Sequence, residues 1–173
     1  MFRCSAVYDI YTSAKRDAWR FTLGKKGTNP LVIIGLNPST ATREKSDTTV
    51  AKVERVATNN NYNGFVMLNL YPIRATDFRE LPAAVNQTAF NANLDQIENV
   101  VARMTSPTIW AAWGMHVTDR NYFLDARDEL LRRLAGFKAQ WLRFGSLTKD
   151  GHPRHPSRIS YAWKLEPFDP AAT

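Results

Sequence analysis

The sequence holds a single cysteine, Cys4, in 173 residues. One thiol excludes an intramolecular disulfide and a cysteine-rich metal centre, and Cys4 reads as a small buried hydrophobe on an early strand. No apolar run approaches the roughly 20 residues that a membrane-crossing helix needs. The opening Met1-Phe-Arg-Cys-Ser-Ala-Val-Tyr-Asp9 lacks the long apolar core of a secretory signal. These absences predict a cytoplasmic chain with no membrane partner. Like charges never run to five in a row, and no repeat or low-complexity tract occurs, so a basic tail is not expected. Nothing marks an obligate protein partner.

What is present suits a folded domain. Hydrophobic residues make up 44% and aromatic residues 12%, enough for one substantial core over 1–173. Lys and Arg number 23 against 16 Asp and Glu, for a net charge of +7. That surplus favours a polyanionic partner, of which nucleic acid is the commonest. Arg143, Lys149, Arg154, Arg158 and Lys164 thicken the last third.

Residues 2–8 and 18–23 read as short strands, completing an N-terminal segment over 1–30 with the loop that follows. Four apolar strand candidates come next, at Leu31–Ile34, Phe65–Leu70, Thr108–Trp113 and Gln140–Phe144. Three helical patterns alternate with them. The first starts at Asp47 or Thr48 with Asp47 as cap and places Val50, Val53, Val56 and Ala57 on one face. The second follows an Asn86 cap and buries Phe90, Leu94, Ile97, Val101 and Met104. The third opens at Asp119 and buries Phe123, Ala126, Leu130, Leu131 and Leu134 before Gly136. Alternation of this kind predicts a single three-layer α/β/α domain around a mainly parallel sheet of about four strands. Residues 31–160 form its core and 161–173 a tail.

The polar residues then fall into a pattern. Leu31-Val-Ile-Ile-Gly-Leu-Asn-Pro-Ser-Thr40 is an apolar strand ended by Gly35 and Pro38. Gly35 can adopt φ > 0 and let a ligand approach, while Pro38 pushes Asn37 out of the helical region. Asn37 and Ser39 therefore follow one strand. Asn69 ends the next, and Gly114 and His116 follow the third. His152 and His155 follow the fourth, in the stiff Gly151-His-Pro-Arg-His-Pro-Ser157 loop. In a parallel sheet all four carboxyl ends share an edge, where such sheets keep their binding crevices. Asn69 is the sharpest of these. A buried amide at a strand end either ties down a loop or reads a ligand such as a base edge, and the residue alone does not choose. His116, His152 and His155 lack a cysteine or carboxylate at ligand spacing, so no metal is predicted. Ser39 lacks the glycine spacing of a nucleophile elbow.

These residues, in this order, resemble the uracil-DNA glycosylase superfamily over about residues 31–160. Gly35-Leu-Asn-Pro38 resembles its first motif, the loop that positions the hydrolytic water, in the asparagine version of the mismatch-specific branch. Val66-Met-Leu-Asn69 with Ile73-Arg-Ala75 looks like the strand whose asparagine reads the uracil edge. Ile109-Trp-Ala-Ala-Trp-Gly114 is similar to the strand ending in Trp-Gly. His155-Pro-Ser-Arg-Ile-Ser160 resembles the loop whose histidine contacts the departing base. More narrowly, Leu36-Asn-Pro-Ser-Thr-Ala41, Asp47-Thr-Thr49, Asn69-Leu-Tyr, Arg74-Ala-Thr-Asp77 and Gly151-His-Pro-Arg-His-Pro156 look like a bacterial and phage family known as domain-of-unknown-function family 1643. That second resemblance covers nearly the whole chain.

The resemblance implies a protein acting on DNA or a nucleotide, in the sharpest form an N-glycosylase hydrolysing the bond between an altered base and its sugar, with no cofactor. Asn37 and His155 would be catalytic. Gly35, Leu36, Ser39, Asn69, Tyr71, Trp113 and His116 would bind substrate, Arg154 and Arg158 would hold phosphates, and Ile159 would wedge into DNA. Departures temper the match. Asn37 is a neutral amide that can orient water but cannot act as a base, and Arg158 replaces a proline. No aromatic occurs over 39–61, which leaves stacking to Tyr71 or Trp113. A noncatalytic DNA binder and an enzyme on a free nucleotide or another phosphorylated small molecule are the alternatives.

Overall fold

The computed structural model describes residues 7–173. Among the described residues seven strands and three α-helices follow one another: β1 (Ile10–Ala14), β2 (Trp19–Lys25), β3 (Pro30–Gly35), α1 (Thr48–Asn59), β4 (Gly64–Asn69), α2 (Gln87–Ala102), β5 (Thr108–Ala111), α3 (Asn121–Leu134), β6 (Gln140–Phe144) and β7 (Leu165–Pro167). The strands form one mixed sheet in the order β1-β2-β4-β3-β5-β6-β7. The central four are parallel, with Leu31 opposite Phe65 on one side and Thr108 on the other.

The strand order dictates where a crevice opens. The connection through α1 steps from β3 to β4 in one direction; that through α2 crosses back over β3 to β5, and α3 continues to β6. Right-handed crossovers running in opposite directions put their helices on opposite faces. Accordingly α1 packs Val50, Val53, Val56 and Ala57 on Leu31, Ile33, Phe65, Met67 and Trp110. The α2 and α3 residues cover Val32, Ile34, Val66, Leu68, Ile109 and Ala111 on the other face. The loops after β3 and β5 part at this reversal, as in other open α/β sheets.

Local signals explain the helix starts. Asp47 caps α1 by accepting from the Val50 amide at 2.8 Å, and Asn86 caps α2 by accepting from Ala89 at 3.0 Å. Each satisfies an amide that the first helical turn leaves open, worth about 1 kcal/mol. Burial of the apolar stripe does more: Ile97 is fully buried, and a side chain of that size contributes about 1.5–3 kcal/mol.

Several expectations need correction. The four expected parallel strands form the centre of a larger mixed sheet, which among the described residues has seven strands, because antiparallel β1 and β2 extend one edge and the unexpected β7 the other. Residues 161–173 thus hold an edge strand and are not simply a tail. The expected strand over 2–8 falls largely outside the described residues, as does Cys4; residues 7 and 8 are not strand, and the first described one is β1. The third helix begins at Asn121, after a 3-10 turn over Met115–Asp119, and Leu131 is only half-buried. The strand expected over Thr108–Trp113 ends at Ala111. Gly35 does not use positive φ. Its missing side chain instead makes room: a Cβ there would fall 2.7 Å from the Met67 methyl and 2.8 Å from Asn69 Oδ1. Among the described residues, no helix is long and apolar enough to cross a membrane.

Candidate functional site

A cavity of about 820 Å³ opens at the carboxyl ends of β3 and β5. Leu36, Asn37 and Ser39 line it from the loop after β3, Trp113 and His116 from the loop after β5, and Arg154, His155 and Arg158 from the segment after β6. Arg20, Met67, Phe78 and the first turn of α1 complete it. Residues spread over 138 positions of sequence therefore meet at one mouth, since the parallel strands end together.

Asn37 is held by its own amide. Nδ2 donates to the carbonyls of Pro38 at 3.1 Å and Ala75 at 3.0 Å. Both donors are thereby spent, and Oδ1 remains as an acceptor for a ligand or water proton. A carboxylate at this point would face two carbonyl oxygens, so the local backbone prefers the amide.

His155 is positioned by glycine. Gly114, at φ +78°, runs so close to the loop that a Cβ there would touch the His155 Cβ. The His155 Nδ1 accepts from the Ser157 amide at 3.2 Å and lies 2.8 Å from the Ser157 hydroxyl. An accepting Nδ1 leaves the ring proton on Nε2. Burial, and then the neighbouring His116, push its pKa down to about 4. The ring is consequently neutral at neutral pH and offers one N–H donor. His116, by contrast, bonds Asp119 through Nδ1 at 2.6 Å and stacks on Phe78 with centroids 4.3 Å apart.

Asn69 is 1% exposed, and neither atom of its side-chain amide has a hydrogen-bond partner among the described residues. Strand alternation places it with Phe65 and Met67 on the α1 face, behind the crevice wall rather than in it. The loop tie is made elsewhere: Asn93 Nδ2 donates to the backbone carbonyls of Asn69 and Leu70. Such an orphaned amide costs about 1–3 kcal/mol.

Other predicted residues fall away from the crevice. Tyr71 is fully buried on the opposite face, against Tyr122 and Phe123, with its hydroxyl accepting from the Asn86 amide. It cannot stack on a ligand in the crevice. Trp113 lines the cavity but is 1% exposed and packed on Trp141 and Phe168. The accessible aromatic is Phe78, which the sequence reading missed. Ile159 is half-buried against the α1-face core instead of projecting as a wedge. His152 is buried away from the cavity, with its pKa lowered by burial. Arg154 is tied to Ser146 and Leu147 and lies over Trp163, whereas Arg158 is exposed at the mouth.

Two arginines went unassigned from sequence. Arg74 binds the carbonyls of Asp17, Ser39 and Ala41, the Tyr11 hydroxyl and the Asp17 carboxylate, stapling the loop after β3 to the β1–β2 turn. Arg20 lies in Trp19-Arg-Phe-Thr-Leu23, and a charge inside so apolar a strand was the available signal. No cluster of His, Cys, Asp and Glu suited to a metal ion occurs among the described residues.

Comparison with known proteins adds one finding. A family model described as Protein of unknown function (DUF1643) matches residues 19–157. No curated protein and no solved structure matches the chain.

Proposed function

We propose, for a chain that belongs to the DUF1643 family of proteins of unknown function, that the crevice acts on DNA or a nucleotide by hydrolysing a base–sugar bond. One observation carries this reading. Asn37 and His155, which the motif resemblance to uracil-DNA glycosylases makes catalytic, line a single cavity with complementary free atoms, an acceptor oxygen and an N–H donor.

The chemistry follows from their charge states. The bond from the sugar carbon to the base nitrogen breaks with its electron pair on the base. His155 Nε2–H donates a hydrogen bond to that developing anion without giving up its proton. A water oriented by Asn37 Oδ1 adds to the sugar carbon, and its proton ends on the released base. Asn37 takes no proton, so departure of the base runs ahead of attack by water. Donors aimed at charge that develops only in the transition state give large rate effects. The Phe78–His116 stack at the wall supports the reading by offering an aromatic face. Arg158 at the mouth suits a phosphate contact.

The test uses oligonucleotides and nucleoside monophosphates carrying altered bases, with released free base measured by chromatography. Base release that falls about 100- to 1000-fold in His155→Ala is the expected result. Salt-sensitive DNA binding without base release from any substrate would make the protein a noncatalytic binder and overturn the hydrolase reading.

A further inference from the structure

Arg20 is a buried charge without an ion pair among the described residues. It is 2% exposed, yet among the described residues no carboxylate lies within ion-pair distance and its Nε has no partner, with Asp47 and Asp17 acting on it only at longer range. Its one hydrogen bond runs from Nη1 to the Ala41 carbonyl at 3.2 Å. Arg74, close enough to repel it, has both guanidinium nitrogens and Nε engaged. A buried cation left this way is costly unless something anionic completes it. Burial and Arg74 pull its pKa down to about 10, which leaves it charged at neutral pH.

The same cavity is lined by the start of α1, at Thr48 and Thr49. The amides of these two residues open the twelve-residue helix and have no acceptor among the described residues. Asp47, which stands beside them, does not fill the role. Its Oδ1 accepts from Val50 and its Oδ2 from the Ala41 amide. The other carboxylate at the wall, Asp77, is forked by Arg79. The acids of the wall are thus engaged, whereas Arg20 Nε and the Thr48 and Thr49 amides are not.

We propose that Arg20 and the N-terminus of α1 form a subsite for a phosphomonoester. A guanidinium and free helix amides are the donors that recognise phosphate oxygens. The subsite rests on the reading of the crevice as a nucleotide-handling site and narrows its ligand to one with a terminal phosphate. An internal phosphodiester lacks the third free oxygen that two donor sets at a buried floor would bind. The source is either a free nucleoside monophosphate or a phosphorylated strand end.

Calorimetric titration with inorganic phosphate, against sodium chloride at matched ionic strength, tests the subsite without any base. Saturable phosphate binding is expected, weakened tenfold or more in Arg20→Met and in Thr48→Pro. Proline is tolerated at the first helical position and removes the amide there, and Asp47 already has the extended backbone that precedes proline. Thr48→Pro carries the test if Arg20→Met fails to fold. Parallel titrations with a nucleoside 5′-monophosphate and with an oligonucleotide, with and without its 5′-phosphate, identify the source. Absence of phosphate binding, or binding unchanged in the folded variants, overturns the subsite. Phosphate binding without base release from any substrate keeps the subsite and removes the hydrolase reading.

Discussion

A Cβ built on Gly114 would fall 2.8 Å from the Cβ of His155. Gly114 and His155 are 41 positions apart, and they approach this closely because residue 114 has no side chain. Its backbone, at φ 78° and ψ −179°, lies in a region open essentially to glycine.

Gly114→Ala should therefore cost stability and site geometry together. Strain of that kind is worth about 1–3 kcal/mol, and the added methyl must also displace His155. Urea unfolding should show a lower midpoint with unchanged slope, and any activity dependent on His155 should fall with it. An unchanged midpoint would mean that the loop yields freely.

The depressed pKa of His155 sets a pH window. Unfolded, the ring titrates near 6.5; folded, near 4. Between these values the unfolded state binds the extra proton, so stability rises with pH. The contribution is complete above about pH 6.5 and is lost progressively as pH falls towards 4. Melting temperatures measured from pH 4 to 8 should show this decline, and His155→Gln should flatten it in part. His152, whose pKa burial also lowers, carries a residual slope of the same sign.

Asn37→Asp is expected to harm the fold. The substitution replaces a donor to two carbonyls by a carboxylate oxygen facing them. Loss of those bonds should cost about 1–3 kcal/mol at neutral pH. Partial recovery at low pH, when the new carboxyl protonates and can donate, would identify repulsion as the cause. A variant as stable as the parent at pH 7 would contradict this account of the loop.

Asn69→Ala should leave the fold close to the parent's stability. The native amide has no partner to lose, so its removal relieves a desolvated polar group while giving up little packing. Thermal stability within about 1 kcal/mol of the parent is expected. Global destabilisation by several kcal/mol would show that the amide holds the strand end together.

Much of the fold was legible because its signals are local. Asp47 and Asn86 stand one residue before their helices, and their side chains reach amides only three positions on. The apolar runs of β3 to β6 are continuous because helices cover both faces of the parallel sheet. The outer strands were less visible. β1 is mostly half-buried or exposed and β7 spans only Leu165–Pro167, so neither carries an apolar run. Tyr71 was misplaced because strand alternation stops at Asn69: Leu70 and Tyr71 both turn into the core under α2 and α3.

The sequence by itself determined the helices, the central strands, and the gathering of polar residues at their carboxyl ends, since periodicity, caps and strand-end residues act over a few positions. Only the tertiary structure decided which of those residues share a cavity. Register and crossover hand turned Tyr71 away, set Asn69 behind the wall and brought Arg20, from an antiparallel strand, into the wall of the cavity that the start of α1 also lines. Those placements depend on packing between distant segments, where a side chain's neighbours are set by the whole sheet and not by the residues beside it in the chain.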